Sequence, residues 1–156
     1  MSDPRGIVQD MTNDEVLAAI GAWLSGNAGA ADALRDMWDM DATAWQRCLI
    51  AHYAADTETG PADALIWNNR ALAAAMELEP GVPGPIGFDR DAMLPSLHLN
   101  CAEDHRRLGD HAEAARHLEL GRSYCSALGD DGYGRLISGG LDRLAARLAD
   151  ARAAAL

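Results

Sequence analysis

The stretch LGDHAEAARHLELGRSYCSALGDD, Leu108 to Asp131, decides the fold of this chain. After a Gly-Asp turn, small and larger apolar residues recur at helical intervals, which is the pattern of an amphipathic helix. Such a helix buries its apolar face against a neighbouring helix. An earlier part of the chain carries the same spacings, so this stretch is predicted to be half of one copy of an internal repeat.

The composition predicts one globular domain, because 49% of the 156 residues are hydrophobic. No apolar run approaches the roughly 18 residues of a membrane span. The N-terminal segment MSDPRGIVQDM lacks the apolar core of a signal peptide. We therefore expect a cytoplasmic protein without membrane contact, with residues 1–11 as a flexible tail and residues 12–156 as a single helical domain.

The charge balance and the missing motifs exclude several classes of function. A net charge of −11 repels a phosphate backbone, so nucleic acid is not an expected partner. The thirteen basic side chains are all arginine, which excludes a P-loop lysine and a lysine Schiff base. The patterns G-x-S-x-G, H-E-x-x-H and C-x-x-C do not occur. No cofactor and no catalytic residue are therefore predicted.

About seven helices paired by short turns are predicted. Thr12, with Glu15 three residues later, has the spacing of a capping box at the start of the first helix. Asp41 and Asp91 are predicted to cap the third and fifth helices. The segment PGVPGPIGFDR, which begins at Pro80, interrupts every helical pattern. The predicted ranges are about 12–40, 42–79 and 91–128 for three hairpins and about 130–154 for the last helix.

Two of these hairpins share one set of spacings, once three extra residues are allowed in the TETGP turn of the first. The matched pairs are Cys48 with Cys101, His52 with His105, Ala64 with Ala114, Ala71 with Gly121 and Leu78 with Leu128. Small residues are expected where the two helices of a hairpin cross closely, with larger apolar residues around the crossing. The match indicates an internal repeat.

The spacings resemble those of the tetratricopeptide repeat, whose pattern is W-x2-L-G-x2-Y, then A-x3-F, then P. The first copy reads W-x2-C-L-x2-H from Trp45, and the second reads H-x2-C-A-x2-H from His98. This chain departs from the pattern at Leu49, where a small residue is usual, and at Asn68, where a large apolar residue is usual. The proline-rich linker also separates the copies by more than the family's repeat length of about 34 residues.

The resemblance implies an all-α fold of stacked antiparallel hairpins, in which the first helix of each pair lines a concave groove. We therefore expect a non-enzymatic binding module or adaptor that holds a peptide or a partner protein. The predicted groove residues are Gln46, Ile50 and Tyr53 on the first copy and Asn100, Glu103, Arg106 and Arg107 on the second. The two arginines can accept a partner carboxylate, although Glu103 can instead pair with either of them at the surface. The exposed edges of a short array favour a homo-oligomer.

Two alternatives stay open at this point. His98, Cys101 and His105 fall at i, i+3 and i+7 of one helix, and His and Cys are zinc ligands. The same positions also fit a buried stripe that needs no metal, so no metal ligand is assigned. His111 and His117 are six residues apart and are expected on different faces of their helix. The alternative function is a helical enzyme or an accessory protein of a biosynthetic pathway.

Overall fold

The fold was obtained as a computed structural model, which describes residues 10–155. Over this range the regular elements are seven α-helices and one short 3-10 turn, Cys125–Ala127, with no β-strand. The helices are α1 Asn13–Leu24, α2 Ala30–Trp38, α3 Ala44–Asp56, α4 Pro61–Met76, α5 Arg90–Arg107, α6 His111–Ser123 and α7 Gly132–Ala154. The predicted all-α class is confirmed.

The first helix begins as the sequence predicts. The hydroxyl of Thr12 accepts a hydrogen bond from the backbone N–H of Glu15, and the carboxylate of Glu15 accepts one from the N–H of Thr12. This capping box provides partners for two backbone donors that the first turn of a helix leaves free.

The caps of the third and fifth helices differ from the prediction. Thr43, and not Asp41, caps α3, because Thr43 and Gln46 form a second reciprocal capping box that Asp41 cannot form. At α5 the side chain of Asp89, and not that of Asp91, accepts the backbone N–H of Ala92. Both corrections move the helix start by two residues relative to the predicted cap, in opposite directions.

The helices pack in chain order as three hairpins, α1 with α2, α3 with α4 and α5 with α6. Contacts between α2 and α3 and between α4 and α5 join successive hairpins, and α7 covers α5 and α6. This packing is the stacked array of antiparallel hairpins that the spacings predict. None of the helices in the described range combines the length and the apolarity that crossing a membrane requires.

Small residues lie at the helix crossings, where the repeat alignment puts them. The small residues expected at these crossings are all buried, namely Ala64, Ala71, Ala102, Ala114 and Gly121. A Cβ atom at Gly121 would lie 3.1 Å from Cδ2 of Leu141 and 3.2 Å from Cβ of His98. The backbone of α5 and the side chain of Leu141 on α7 therefore approach α6 too closely here for a larger side chain to enter without displacing its neighbours.

The segment between α4 and α5 is packed onto the helices rather than free of them. The backbone of Gly84 lies against the indole of Trp45, and a Cβ atom at this position would overlap the ring. The N–H of Gly84 donates to the carbonyl of Phe88 over 2.7 Å, and the Phe88 ring stacks on Tyr133 with centroids 4.9 Å apart. This segment therefore contacts both α3 and α7.

The predicted N-terminal tail falls largely on residues 1–9, which lie outside the described residues. Met11 belongs to the core instead of to a tail, since it is buried and its carbonyl accepts a 2.7 Å hydrogen bond from Nε2 of Gln46. The folded domain therefore includes Met11, one residue before the predicted boundary.

Candidate functional site

Two of the predicted groove residues are in the core. Ile50 is completely buried. Gln46 is also buried, and its amide is occupied by Thr43 on one side and by Met11 on the other. These two positions are corrected, because α3 is covered by α1, α2 and α4 and leaves this part of its surface inaccessible to a partner. The reason was visible in the sequence, where Thr43-x-x-Gln46 has the capping-box spacing.

Tyr53 lies near the end of α3 and is half-buried. Its ring meets that of His52 edge to face, with centroids 5.1 Å apart. Burial, followed by the charge of Asp56, raises the pKa of the Tyr53 phenol. The side chain thus packs on the core and stays a neutral group.

Three other predicted residues, Asn100, Glu103 and Arg107, line one pocket. It lies where the end of α3, the first half of α4 and the second half of α5 meet, and its volume is about 260 Å³. We call it the α3–α5 pocket. Its full lining is Ala55, Asp56, Glu58, Ala64, Asn68, Asn100, Glu103, Asp104 and Arg107.

The floor of the α3–α5 pocket is a buried pair of polar side chains, Asn68 of α4 and Asp104 of α5. Their exposed fractions are 4% and 5%. Nδ2 of Asn68 donates to Oδ2 of Asp104 over 2.7 Å. Because a carboxylate only accepts hydrogen bonds, the Asn68 atom in this contact must be the amide nitrogen. The other polar atom of the side chain is therefore Oδ1. That Oδ1 is buried and has no hydrogen-bond partner among the residues described.

Two of the four acids that line the pocket form ion pairs with arginines, and two do not. Glu58 accepts from Arg35 and from the indole N–H of Trp67, each over 3.2 Å. The carboxylate of Glu103 accepts two hydrogen bonds from the guanidinium of Arg106. The other two acids, Asp56 and Asp104, have raised pKa values, and loss of solvation is the main cause in both, although Asp104 is buried and Asp56 keeps an exposed side chain.

Of the two arginines predicted to bind a carboxylate, Arg106 is paired within the protein and Arg107 is exposed. Nε and Nη2 of Arg106 donate to both oxygens of Glu103 over 2.8 and 2.7 Å, and Arg147 lies 3.6 Å from the same carboxylate. Arg106 is therefore occupied within the protein. Arg107 is exposed at the rim of the pocket, where its charge lowers the pKa of Asp104 against the effect of burial.

Two of the three free cysteines, Cys48 and Cys101, are buried. Burial raises the pKa values of Cys48 and Cys101 to about 12, so both stay protonated near neutral pH. Sγ of Cys101 is 3.9 Å from the side-chain oxygen of Asn69. Among the described residues, the side chains whose ligand atoms converge are those of His105, Glu113 and His117, and not the set of His98, Cys101 and His105 considered from the sequence.

The structure instead gathers three histidines across the α5–α6 crossing. Nδ1 of His98 is 2.9 Å from Nδ1 of His117, and the rings of His105 and His117 stack with centroids 5.4 Å apart. We call His98, His105 and His117 the α5–α6 histidine cluster. His117 points into the crossing while His111 is exposed, as their spacing predicts. The contact between the two helices was not visible in the spacing of either helix alone.

Comparisons of the chain with protein-family models, with curated proteins and with solved structures find no match. The likeness to the tetratricopeptide repeat therefore rests on the residue spacings. The chemistry of the α3–α5 pocket and of the α5–α6 histidine cluster must be inferred from their own residues.

Proposed function

We propose that this chain is a non-enzymatic binding module that holds a peptide or a segment of a partner protein over the α3–α5 pocket. The segment contributes a basic, hydrogen-bond-donating side chain. The observation that supports this most directly is the buried Asn68–Asp104 pair of the pocket lining, in which Oδ1 of Asn68 is an acceptor without a partner. A buried unsatisfied polar group costs about 1–3 kcal/mol. A donor from a ligand offsets that cost only in the complex.

The charges favour a basic group over the carboxylate that the arginines suggested. Asp56 and Asp104 are the acids of the pocket that form no ion pair with an arginine, and Arg107 is its one basic lining residue. Arg106 is already paired with Glu103. The net charge of −11 also attracts a basic segment during its approach.

The size of the pocket favours one side chain over a larger ligand. About 260 Å³ is below the range of roughly 300–1,000 Å³ typical of small-molecule and cofactor sites. A guanidinium fits the chemistry best, because its planar donors can reach a carboxylate and a neighbouring amide oxygen together. We therefore propose an arginine-containing segment as the preferred ligand.

Binding of matched peptides tests the proposal. The probes are fluorescently labelled pentapeptides with identical flanks and a central Arg, Lys, Gln or Glu, measured by fluorescence anisotropy. We expect the Arg peptide to bind most tightly and the Glu peptide least. The preference should weaken as salt rises, because part of it comes from screened charge.

A pair of variants with equal change of net charge localises the binding. Asp104→Asn should weaken binding of the Arg peptide about tenfold, which corresponds to about 1.4 kcal/mol. Asp142→Asn, on the exposed surface of α7, should leave it unchanged, because Asp142 pairs with Arg122 and neither residue lines the pocket. Equal affinity for the Arg and Glu peptides, or equal effects of the two variants, would contradict the proposal.

A further inference from the structure

We infer that the α5–α6 crossing binds a divalent transition-metal ion of the zinc class through His105, Glu113 and His117. One ligand atom from each of these side chains lies within 4.8 Å of the other two. A tetrahedral ion with bonds of about 2.1 Å holds its ligands about 3.4 Å apart, so side-chain movements of about 1 Å complete the set. Two imidazoles and one carboxylate leave a fourth position for water. This site is separate from the α3–α5 pocket.

Helical geometry places the three ligands on rigid elements. Glu113 and His117 are four residues apart near the start of α6 and so lie on one face of that helix. His105 is in the last turn of α5. Gly109, with φ of +82°, makes the tight turn between the helices, and the N–H of Asp110 donates to the carbonyl of His105 over 2.9 Å. The turn therefore brings the end of α5 beside the start of α6.

The neighbours of His117 select the tautomer that a metal ligand needs. Nη2 of Arg116 lies 3.3 Å from Nε2 of His117, and a guanidinium only donates, so Nε2 is the acceptor. The proton is then on Nδ1 of His117, which donates to Nδ1 of His98 over 2.9 Å. Metal-binding histidines are commonly oriented by such a hydrogen bond from the other ring nitrogen. His98 is thus a positioning residue for His117.

The position of Arg116 also indicates that the site can hold a cation. Its guanidinium contacts two of the three ligand groups, Glu113 over 2.8 Å and His117 over 3.3 Å. The Arg116 side chain is 56% exposed, so it can turn into solvent when an ion enters. Arg116 therefore competes with the metal for Glu113 and His117. Removing it should strengthen metal binding, whereas removing a ligand should weaken it.

Titration of the chelator-treated full chain with Co²⁺ and Zn²⁺ tests the site. Co²⁺ binding is followed by its visible absorption, and Zn²⁺ binding is followed by calorimetry. We expect one ion per chain. His105→Gln and Glu113→Gln should each weaken binding at least tenfold, and Arg116→Gln should strengthen it severalfold. His111→Gln, which changes an exposed histidine of the same helix, should leave the affinity unchanged.

The variants keep the test independent of folding. His105 and Glu113 are only partly buried, and circular dichroism of each variant verifies that it remains helical. Absence of saturable binding to the wild type would overturn the proposal. So would binding that survives both ligand substitutions, or binding that His111→Gln removes. Weaker binding by Arg116→Gln would also overturn it, because the ion would then lie elsewhere.

Discussion

At the scale of single residues, buried polar atoms without hydrogen-bond partners are expected to be costly. Oδ1 of Asn68 and Nδ1 of His52 are both buried without a hydrogen-bond partner in the described part of the chain. Native proteins keep few such groups, because each forgoes the hydrogen bonds it makes in water. Asn68 lines the α3–α5 pocket, so the proposed ligand would provide a partner for its unused acceptor.

His117 should make the stability of the protein depend on pH. Burial, then the neighbouring charges of His98 and Arg116, lower the pKa of His117 to about 4, against about 6.5 for an unfolded histidine. Between these pH values the unfolded chain binds a proton that the folded chain excludes. The free energy of unfolding should therefore be highest above about pH 6.5 and fall as the pH falls towards 4.

Urea unfolding from pH 7.5 to pH 5, in the presence of a chelator, measures this dependence. The His117→Gln variant should lose less stability over the interval than the wild type, because its side chain does not titrate. Parallel pH profiles for the two proteins would show that His117 is protonated equally in the folded and unfolded states.

Residue-level contacts could be predicted from the sequence only where both partners share one helix. The capping box of Thr12 and Glu15 was predicted, and that of Thr43 and Gln46 has an equally visible spacing. Two hydrogen bonds at the sites join residues of different helices. Asn68 and Asp104 are 36 positions apart in the sequence, and His98 and His117 are 19 positions apart. Their contact depends on how the helices cross, which the spacing along a single helix does not determine.

At the scale of elements, the close crossing of α5 and α6 is the feature on which the repeat alignment depends. Ala114 is completely buried there, whereas Ala112, two residues earlier on the same helix, is exposed. The two positions have the same residue type and differ only in what their Cβ atoms face. They are therefore a matched pair for testing the crossing.

Ala114→Leu should destabilise the fold by roughly 1–3 kcal/mol, because the added atoms overpack a tight interface. Ala112→Leu should change the stability by less than about 0.5 kcal/mol, since its side chain extends into solvent. Thermal unfolding of both variants measures the difference. If the two melting temperatures were equal, the register of α6 on α5 would be wrong.

The segment between α4 and α5 makes a second prediction at this scale. Gly84→Ala should lower the free energy of unfolding by roughly 1–3 kcal/mol, because the new Cβ overlaps the indole of Trp45. Gly21→Ala is the control within α1, where nothing lies within 4 Å of the added atom. The control should stabilise the protein by about 0.5–1 kcal/mol. A harmless Gly84→Ala would mean that this segment does not pack on Trp45.

Over the whole molecule, the helical periodicity predicted the fold class, the order of the hairpins and the break between α4 and α5. It could not predict the α3–α5 pocket, because that pocket forms where two hairpins meet. Asn100, Glu103 and Arg107, which share one face of α5, line the same pocket, whereas Arg106 does not line it. Gln46 and Ile50 were misplaced because the alignment assigns α3 an open face, and α1 and α2 cover it.

Because the pocket joins two hairpins, its ligand should stabilise the domain as a unit. An Arg-centred pentapeptide at a hundred times its Kd should raise the free energy of unfolding by about 2.7 kcal/mol. Urea unfolding with and without the peptide measures this, and at the same peptide concentration Asp104→Asn should reduce the gain. A peptide that leaves the unfolding curve unchanged would not bind the folded domain selectively.

The most direct test of the proposed binding function observes the pocket floor itself. In ¹⁵N-labelled protein, the side-chain amide of Asn68 gives its own pair of resonances, which assignment with an Asn68→Leu variant identifies. Addition of the Arg-centred pentapeptide should shift this pair strongly, together with the backbone amides of Asp56 and Asn100 at the pocket wall. The Glu-centred pentapeptide should leave them in place. Shifts confined to helices away from the pocket, or equal shifts with both peptides, would contradict the function proposed for this protein.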